Sequence, residues 1–403
     1  MRRSTKVIAP ACAALSGRAV STVFIASVFC LVAGGQAGAQ DVTQPTTMVT
    51  PVQVQANAQQ EAFYANRLKL ASPQIKARLD ALQTEGKQRG WTFTVGYTTA
   101  MDRSLAQLTG AREPAGFAEK APQQNAFAAE AIKVYDAEAM KYRVGPFVLA
   151  CRAAAAAFDW RTLGKVTPVK DQDGCGSCWD FAAIAAYESA YAIRNNVMIN
   201  ASEQHVLNCA GAGTCGGGWY MPVWDWMLTH KVVTEATLPY TAHDAACPAG
   251  LAGLYSDVAW GWVAPGGAVP TVDQMKAALC AHGPLAVAVM ATPAFQAYTG
   301  GVLNQGPMTA YNHAVTIVGW DDAKHAWLVK NSWGTGWGLN GYIWIAYGSN
   351  NIGYHAAWVQ APSNKFIIPH RLIDVIAKYK LIPIPTPGPD PMKPMQNMQQ
   401  IQH

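Results

Sequence analysis

The stretch DQDGCGSCWDF (171–181) places Cys175 and Cys178 three residues apart. Thiols at that spacing suit three chemistries: a redox dithiol, half of a zinc site, or one structural cysteine beside one nucleophile. A redox pair wants a strand upstream in a βαβ setting, whereas GKVTPVKDQDG reads as a loop. A zinc site would recruit Cys209 and Cys215, but their C-x5-C spacing is poor for a zinc ribbon. A nucleophile needs an imidazole and a group to orient it. His313, in NHAVTIVGW, follows Cys178 by 135 residues, and Asn331, in KNSWGTGWG, follows it by 153. The Ala-rich run from 178 to 194 reads as a helix that starts at Cys178, and the positive end of a helix favours a thiolate.

CGSCW (175–179), with His and Asn at those distances, resembles the local signature of the papain/cathepsin cysteine proteases. FDWRTLGKVTPVKDQ (158–172), SEQHVLNC (202–209), CGGGW (215–219) and LPY (238–240) resemble that family too, in its order, so the likeness covers about 158–360. It implies an α+β, two-lobed papain-like fold, with a helical lobe at about 158–262, an antiparallel β lobe at about 263–360 and a cleft between them. It also implies a cysteine endopeptidase that works through an acyl-enzyme thioester. Cys178 would be the nucleophile and His313 its proton partner. Asn331 would orient the ring, and Trp333 would shield that contact from water. Gln172 and the Cys178 backbone N–H would hold the oxyanion. Gly217 and Gly218 match the stretch that pairs with substrate backbone. Trp219, Ala288, Tyr311 and Ala357 match walls of the pocket for the second residue before the cleaved bond. None of those four is charged, so the expected occupant is apolar or aromatic. Asp180 departs from the family's small residue; helical geometry turns it away from the thiol, where it could support the helix N-terminus.

The resemblance pairs Cys175 with Cys215 and Cys209 with Cys247. Of nine cysteines, Cys12 and Cys30 fall in the expected leader and Cys178 stays free. Cys151 and Cys280 remain, and are expected to pair. No metal and no cofactor is called for. The same triad would serve an acyl transferase or peptide ligase, and a relative without activity could act as a binder. The intact Cys178, His313, Asn331 and Gln172 argue for the protease.

The elements around these residues set the domain plan. Arg2, Arg3, Lys6 and Arg18 precede the apolar run AVSTVFIASVFCLVAGG (19–35) and the small residues AGA (37–39). That is the pattern of a secretory signal peptide, residues 1–39, cut after Ala39. The run is short for a membrane anchor, so no span is expected once the leader is removed. A secreted or periplasmic location follows, where disulfides persist. Residues 40–150 read as an inhibitory propeptide, the protein's own intramolecular partner. Within it 58–88 has helical spacing, WTFTVGYTTAMD (91–102) reads as strand and turn, and a helix is expected at 125–142. Gly96 and Asp102 fit part of a family propeptide motif, although Thr98 and Ala100 replace its middle.

Residues 151–360 form the expected peptidase domain: helices at 178–194, after Ser202 and at 222–230, then strands at 285–290, 313–320, 325–331 and 341–347. After 361 a short amphipathic helix precedes a Pro-rich tail that reads as disordered. The net charge of +5 is misleading, because 151–360 holds 9 basic against 13 acidic side chains. No basic stripe exists for nucleic acid. The expected partners are peptide or protein substrates, and the expected state is a monomer.

Overall fold

The computed structural model describes residues 51–141, 151–365 and 369–379. The expected leader, the junction at 142–150 and the Pro-rich tail lie outside the described residues. No helix among the described residues is long and apolar enough to cross a membrane.

The strands are β1 (Thr92–Val95), β2 (Ala157–Asp159), β3 (Gly213–Thr214), β4 (Gly217–Gly218), β5 (Ala259–Trp262), β6 (Leu285–Val289), β7 (Tyr298–Leu303), β8 (His313–Asp321), β9 (Ala326–Lys330), β10 (Tyr342–Ala346) and β11 (Tyr354–Gln360). Nine of them form one sheet in the order β1-β7-β10-β9-β8-β6-β11-β5, with β2 beside β8. Every pairing is antiparallel except β7 with β10. β6, β8 and β9 are buried almost throughout, which explains their near-continuous runs of Val, Ile, Ala and Trp.

Two hydrophobic cores divide the molecule. One surrounds the Cys178–Asn195 helix, with Trp179, Tyr187, Trp219 and Trp224 fully buried in it. Fifteen of that helix's eighteen residues are buried, so it is enclosed on nearly every side. Its alanines let the backbone approach β8 closely, and Thr316 Oγ1 donates to Ala182 O at 3.4 Å. The second core sits on the sheet, and the N-terminal segment contributes Leu82, Phe93, Leu108 and Phe127 to it. This is the expected α+β, two-lobed arrangement.

The N-terminal segment is part of the fold. The single helical stretch expected at 58–88 is two helices, Pro51–Leu70 and Pro73–Arg89. Pro73 lacks the N–H that continuation would need, and Ser72 Oγ caps Ile75 N instead. β1 adds itself to the sheet edge, with Phe93 opposite Gly301. Gly301 has φ +83°, and a Cβ there would meet Thr92 O at 2.4 Å, so only glycine admits this strand. The Ala121–Lys141 helix then buries Phe127 and Tyr135. Beyond the β half, the His370–Tyr379 helix returns to it. Lys378 and the Tyr379 hydroxyl both bond to Glu130 Oε2, at 2.8 and 2.9 Å.

Disulfides join Cys175 to Cys215, Cys209 to Cys247 and Cys151 to Cys280, leaving Cys178 as the free cysteine among the described residues. The first closes a 40-residue separation, for which loop entropy predicts about 4 kcal/mol of stabilisation.

Candidate active site

Cys178 occupies the first turn of its helix, after Ser177, and is fully buried. The first backbone N–H groups of a helix have no intrahelical acceptor. Those of Cys178 and Trp179 lie at the thiol instead, as do the N–H groups of Ala314 and Gly110, and each lowers its pKa. Burial outweighs them and pushes the thiol up to about 11.

His313 opens β8 and Asn331 follows β9 directly. The antiparallel pairing of those strands brings the two side chains together, and His313 Nε2 donates to Asn331 Oδ1 at 2.7 Å. Nδ1 is left as the other ring nitrogen, buried without a hydrogen-bond partner among the described residues. Burial lowers the His313 pKa to about 4, against a smaller opposing effect of the Asn331 bond. The Trp333 ring lies 4.7 Å from the imidazole, centre to centre, and Phe295 backs both rings.

Gln172 is held by its neighbours. Its backbone N donates to Ser332 O at 2.8 Å, and Ser332 Oγ donates to its Oε1 at 2.7 Å. That fixes the amide so that Nε2 donates to Leu108 O at 3.2 Å and to Cys175 O at 2.8 Å. Trp333 Nε1 donates to the same Leu108 carbonyl at 3.2 Å. The residue the sequence reading missed here is Ser332, which lies inside the quoted NSW and sets the amide's direction.

Gly217 and Gly218 form β4, and both polar backbone groups of Gly218 are engaged by the N-terminal segment. Gly218 N donates to Gly110 O and Arg112 N donates to Gly218 O, each at 2.8 Å, making a parallel bridge at Ala111. Trp219, Ala288 and Ala357 are buried, and the Trp219 and Tyr311 rings lie 5.6 Å apart. Beyond them the segment's Glu113 reaches His355, a buried residue absent from the sequence reading. Strand alternation already puts 355 and 357 on one face. The bulge between Tyr354 and Ala357 and a φ of +52° at His355 then set the ring direction, and those belong to the tertiary structure.

Asp180 is also fully buried. Its charged neighbours are Glu203, Lys170 and Glu235, and burial pushes its carboxyl well above the usual range. Neither carboxyl oxygen has a hydrogen-bond partner among the described residues, so Asp180 makes no capping bond at the helix N-terminus, and burial disfavours its charge there.

The papain family cysteine protease profile matches residues 154–361. Over 201 residues the chain is 36% identical to fruit bromelain of Ananas comosus, covering 49% of this chain and 56% of that protein. Digestive cysteine proteinase 3 of Homarus americanus is 37% identical over 209 residues, covering 49% and 63%. The chain thus spans between half and two thirds of the length of these curated relatives. Among solved structures, a recombinant stem bromelain precursor aligns with 76% of this chain and 98% of its own, at 28% identity and a TM-score of 0.57. A digestive procathepsin L2 from Tenebrio molitor aligns with 75% and 94%, at 27% identity and a TM-score of 0.57. Both alignments reach beyond the peptidase portion into the N-terminal segment. With a two-lobed α+β fold and with the profile covering half of its length, the chain belongs to the papain family of cysteine proteases.

Proposed function

We propose that the chain is an exported cysteine endopeptidase, made as a monomeric zymogen whose residues 40–150 inhibit the domain at 151–360. The reading is supported by a free thiol that has the N–H of Ala314, the residue after His313, beside it, by the His313–Asn331 bond, and by the Gln172 amide aimed at a carbonyl of the N-terminal segment.

In catalysis Cys178 Sγ, as thiolate, attacks the substrate carbonyl. Gln172 Nε2 and the Cys178 N–H receive the developing oxyanion. His313, as imidazolium, gives its proton to the leaving amine, and then activates the water that opens the thioester. Asn331 holds the ring, Trp333 keeps water from that bond, and Gly217 and Gly218 take the substrate backbone. In the covered state both reacting groups are dry, with the thiol near 11 and the imidazole near 4, so the neutral pair is favoured. Opening the cleft rehydrates them and favours the ion pair.

The chain direction of the N-terminal segment supports inhibition rather than cleavage. A hydrolysable acyl donor needs its pocket residue before the attacked carbonyl. Here the carbonyl at the Gln172 donor belongs to Leu108, and the residue at the pocket, Glu113, comes after it. The test uses the full chain from residue 40, incubated at acid pH with a fluorogenic dipeptide, with and without an epoxide thiol label. Hydrolysis that the label blocks and Cys178→Ala lacks supports the protease. Labelling with aminolysis but no hydrolysis would make it a transferase, and no labelling would make it a binder.

A further inference from the structure

His355 is a buried polar side chain that the catalytic steps do not use. Its backbone carbonyl accepts from the Tyr220 hydroxyl at 2.7 Å, and its ring stands edge-on to Trp219, 5.3 Å away. Trp262 Nε1 lies 3.3 Å from Nδ1. An indole N–H can only donate, so Nδ1 is the acceptor and Nε2 carries the proton. Nε2 makes no well-aligned hydrogen bond among the described residues. Its near neighbour is Glu113 Oε2, at 3.0 Å, on the N-terminal segment. The Tyr311 hydroxyl also lies near Glu113: burial first, then that carboxylate, raises its pKa.

The backbone is shaped around this ring. A Cβ on Gly267 would sit 2.3 Å from His355 Cε1 and 2.5 Å from Nε2, so the turn at Pro265–Gly267 closes against the imidazole only because residue 267 is glycine. The ring is thus clamped by Gly267, oriented by Trp262 and pointed at the place where Glu113 rests. When the segment leaves, Nε2–H loses that neighbouring carboxylate oxygen, and a dry donor is costly unless the next occupant supplies a well-aligned acceptor.

Resting on the protease reading above, we propose that His355 Nε2–H and Tyr311 O–H make the pocket at Trp219 select a substrate side chain ending in a carboxylate or carboxamide oxygen, Glu foremost, at the second residue before the cleaved bond. This replaces the apolar or aromatic occupant that the four uncharged walls led the sequence to suggest. Trp219, Ala288 and Ala357 hold the stem, and the two donors read the tip. A site built to hydrogen-bond its ligand rejects an apolar analogue because its own donor is left dry and unpaired.

The experiment uses the processed enzyme, with active sites counted by the epoxide label, and three fluorogenic dipeptides that differ only in Glu, Gln or Leu at that position. The expected result is a kcat/KM at least about tenfold higher for Glu than for Leu, with Gln between them. His355→Phe and, as a milder change, Tyr311→Phe should each lower the Glu/Leu ratio by about tenfold. Trp262→Phe, which frees the tautomer, should lower Glu more than Gln. Brisk cleavage of the Leu substrate with poor cleavage of Glu overturns the inference and leaves the protease reading standing. A Glu/Leu ratio unmoved in labelled, folded variants overturns it as well. No hydrolysis of any dipeptide overturns both readings together.

Discussion

Gly110→Ala should lift the N-terminal segment from its seat against the Gly176 loop. A Cβ at 110 would lie 1.9 Å from Gly176 O and 2.7 Å from Gly176 C, backbone atoms of the disulfide-tied loop that carries the nucleophile. Carbon and oxygen do not approach that closely, and the loop is held by the Gly176 N to Cys215 O bond at 2.9 Å. The segment therefore has to retreat by about 1 Å or more to reach ordinary contact. That stretches both 2.8 Å bonds with Gly218 and withdraws Leu108 from its two donors. At about 1 kcal/mol net for each of two to four bonds, the seated state loses roughly 2–4 kcal/mol. The open fraction then rises about 30- to 1,000-fold. The assay is alkylation of Cys178 at pH 8 in the freshly purified chain from residue 40, read by mass. The other six cysteines of that chain are in disulfides, so one thiol reports. Wild type should react slowly, because the buried thiol sits near 11, and Gly110→Ala should react at least 30-fold faster by the same bond count. A folded Gly110→Ala chain that is alkylated at the wild-type rate would refute the reasoning.

Three further outcomes are expected. Asn331→Ala leaves His313 Nε2 without its acceptor, so kcat of the processed enzyme should fall about 10- to 100-fold; an unchanged kcat would remove Asn331 from the mechanism. Burial holds the Asp225 carboxyl at about 7, up from 3.8. A raised carboxyl gives stability that is complete below the unfolded pKa and lost as pH rises through the folded one. Asp225→Asn should therefore flatten the decline between pH 4 and 7 by roughly 4 kcal/mol at most, seen in urea midpoints; an unaltered slope would contradict this. Ending the chain after Lys365 removes the buried Leu372 and Val375 and the two contacts to Glu130. Hydrogen exchange in the Ala121–Lys141 helix should then speed up by about tenfold or more, given ~1.5–3 kcal/mol per buried aliphatic side chain; unaltered protection would show that the C-terminal helix does not brace it.

Much of the local structure was readable because periodicity and end signals are local. The Ala-rich helix from Cys178, the Ser202 cap and the strands at 285, 313, 326 and 342 follow from spacing and residue type. The misses have physical reasons. Pro73 broke what looked like one helix, because it lacks the N–H that continuation needs and Ser72 caps a new start. The strands at 259 and 354 carry little alternation, since β5 is buried on both faces and β11 bends at a bulge.

By itself the sequence determined the chemistry on offer: one cysteine at a helix start, with one histidine and one asparagine at family distances. Side-chain direction is a long-range property, and only the tertiary structure decided it. Ser332 aims the Gln172 amide, β8 against β9 joins His313 to Asn331, and burial sets both pKa values of the reacting pair. Contacts between residues far apart in the chain place Leu108 at the Gln172 amide and Glu113 at His355, and no window of sequence contains both ends of either contact.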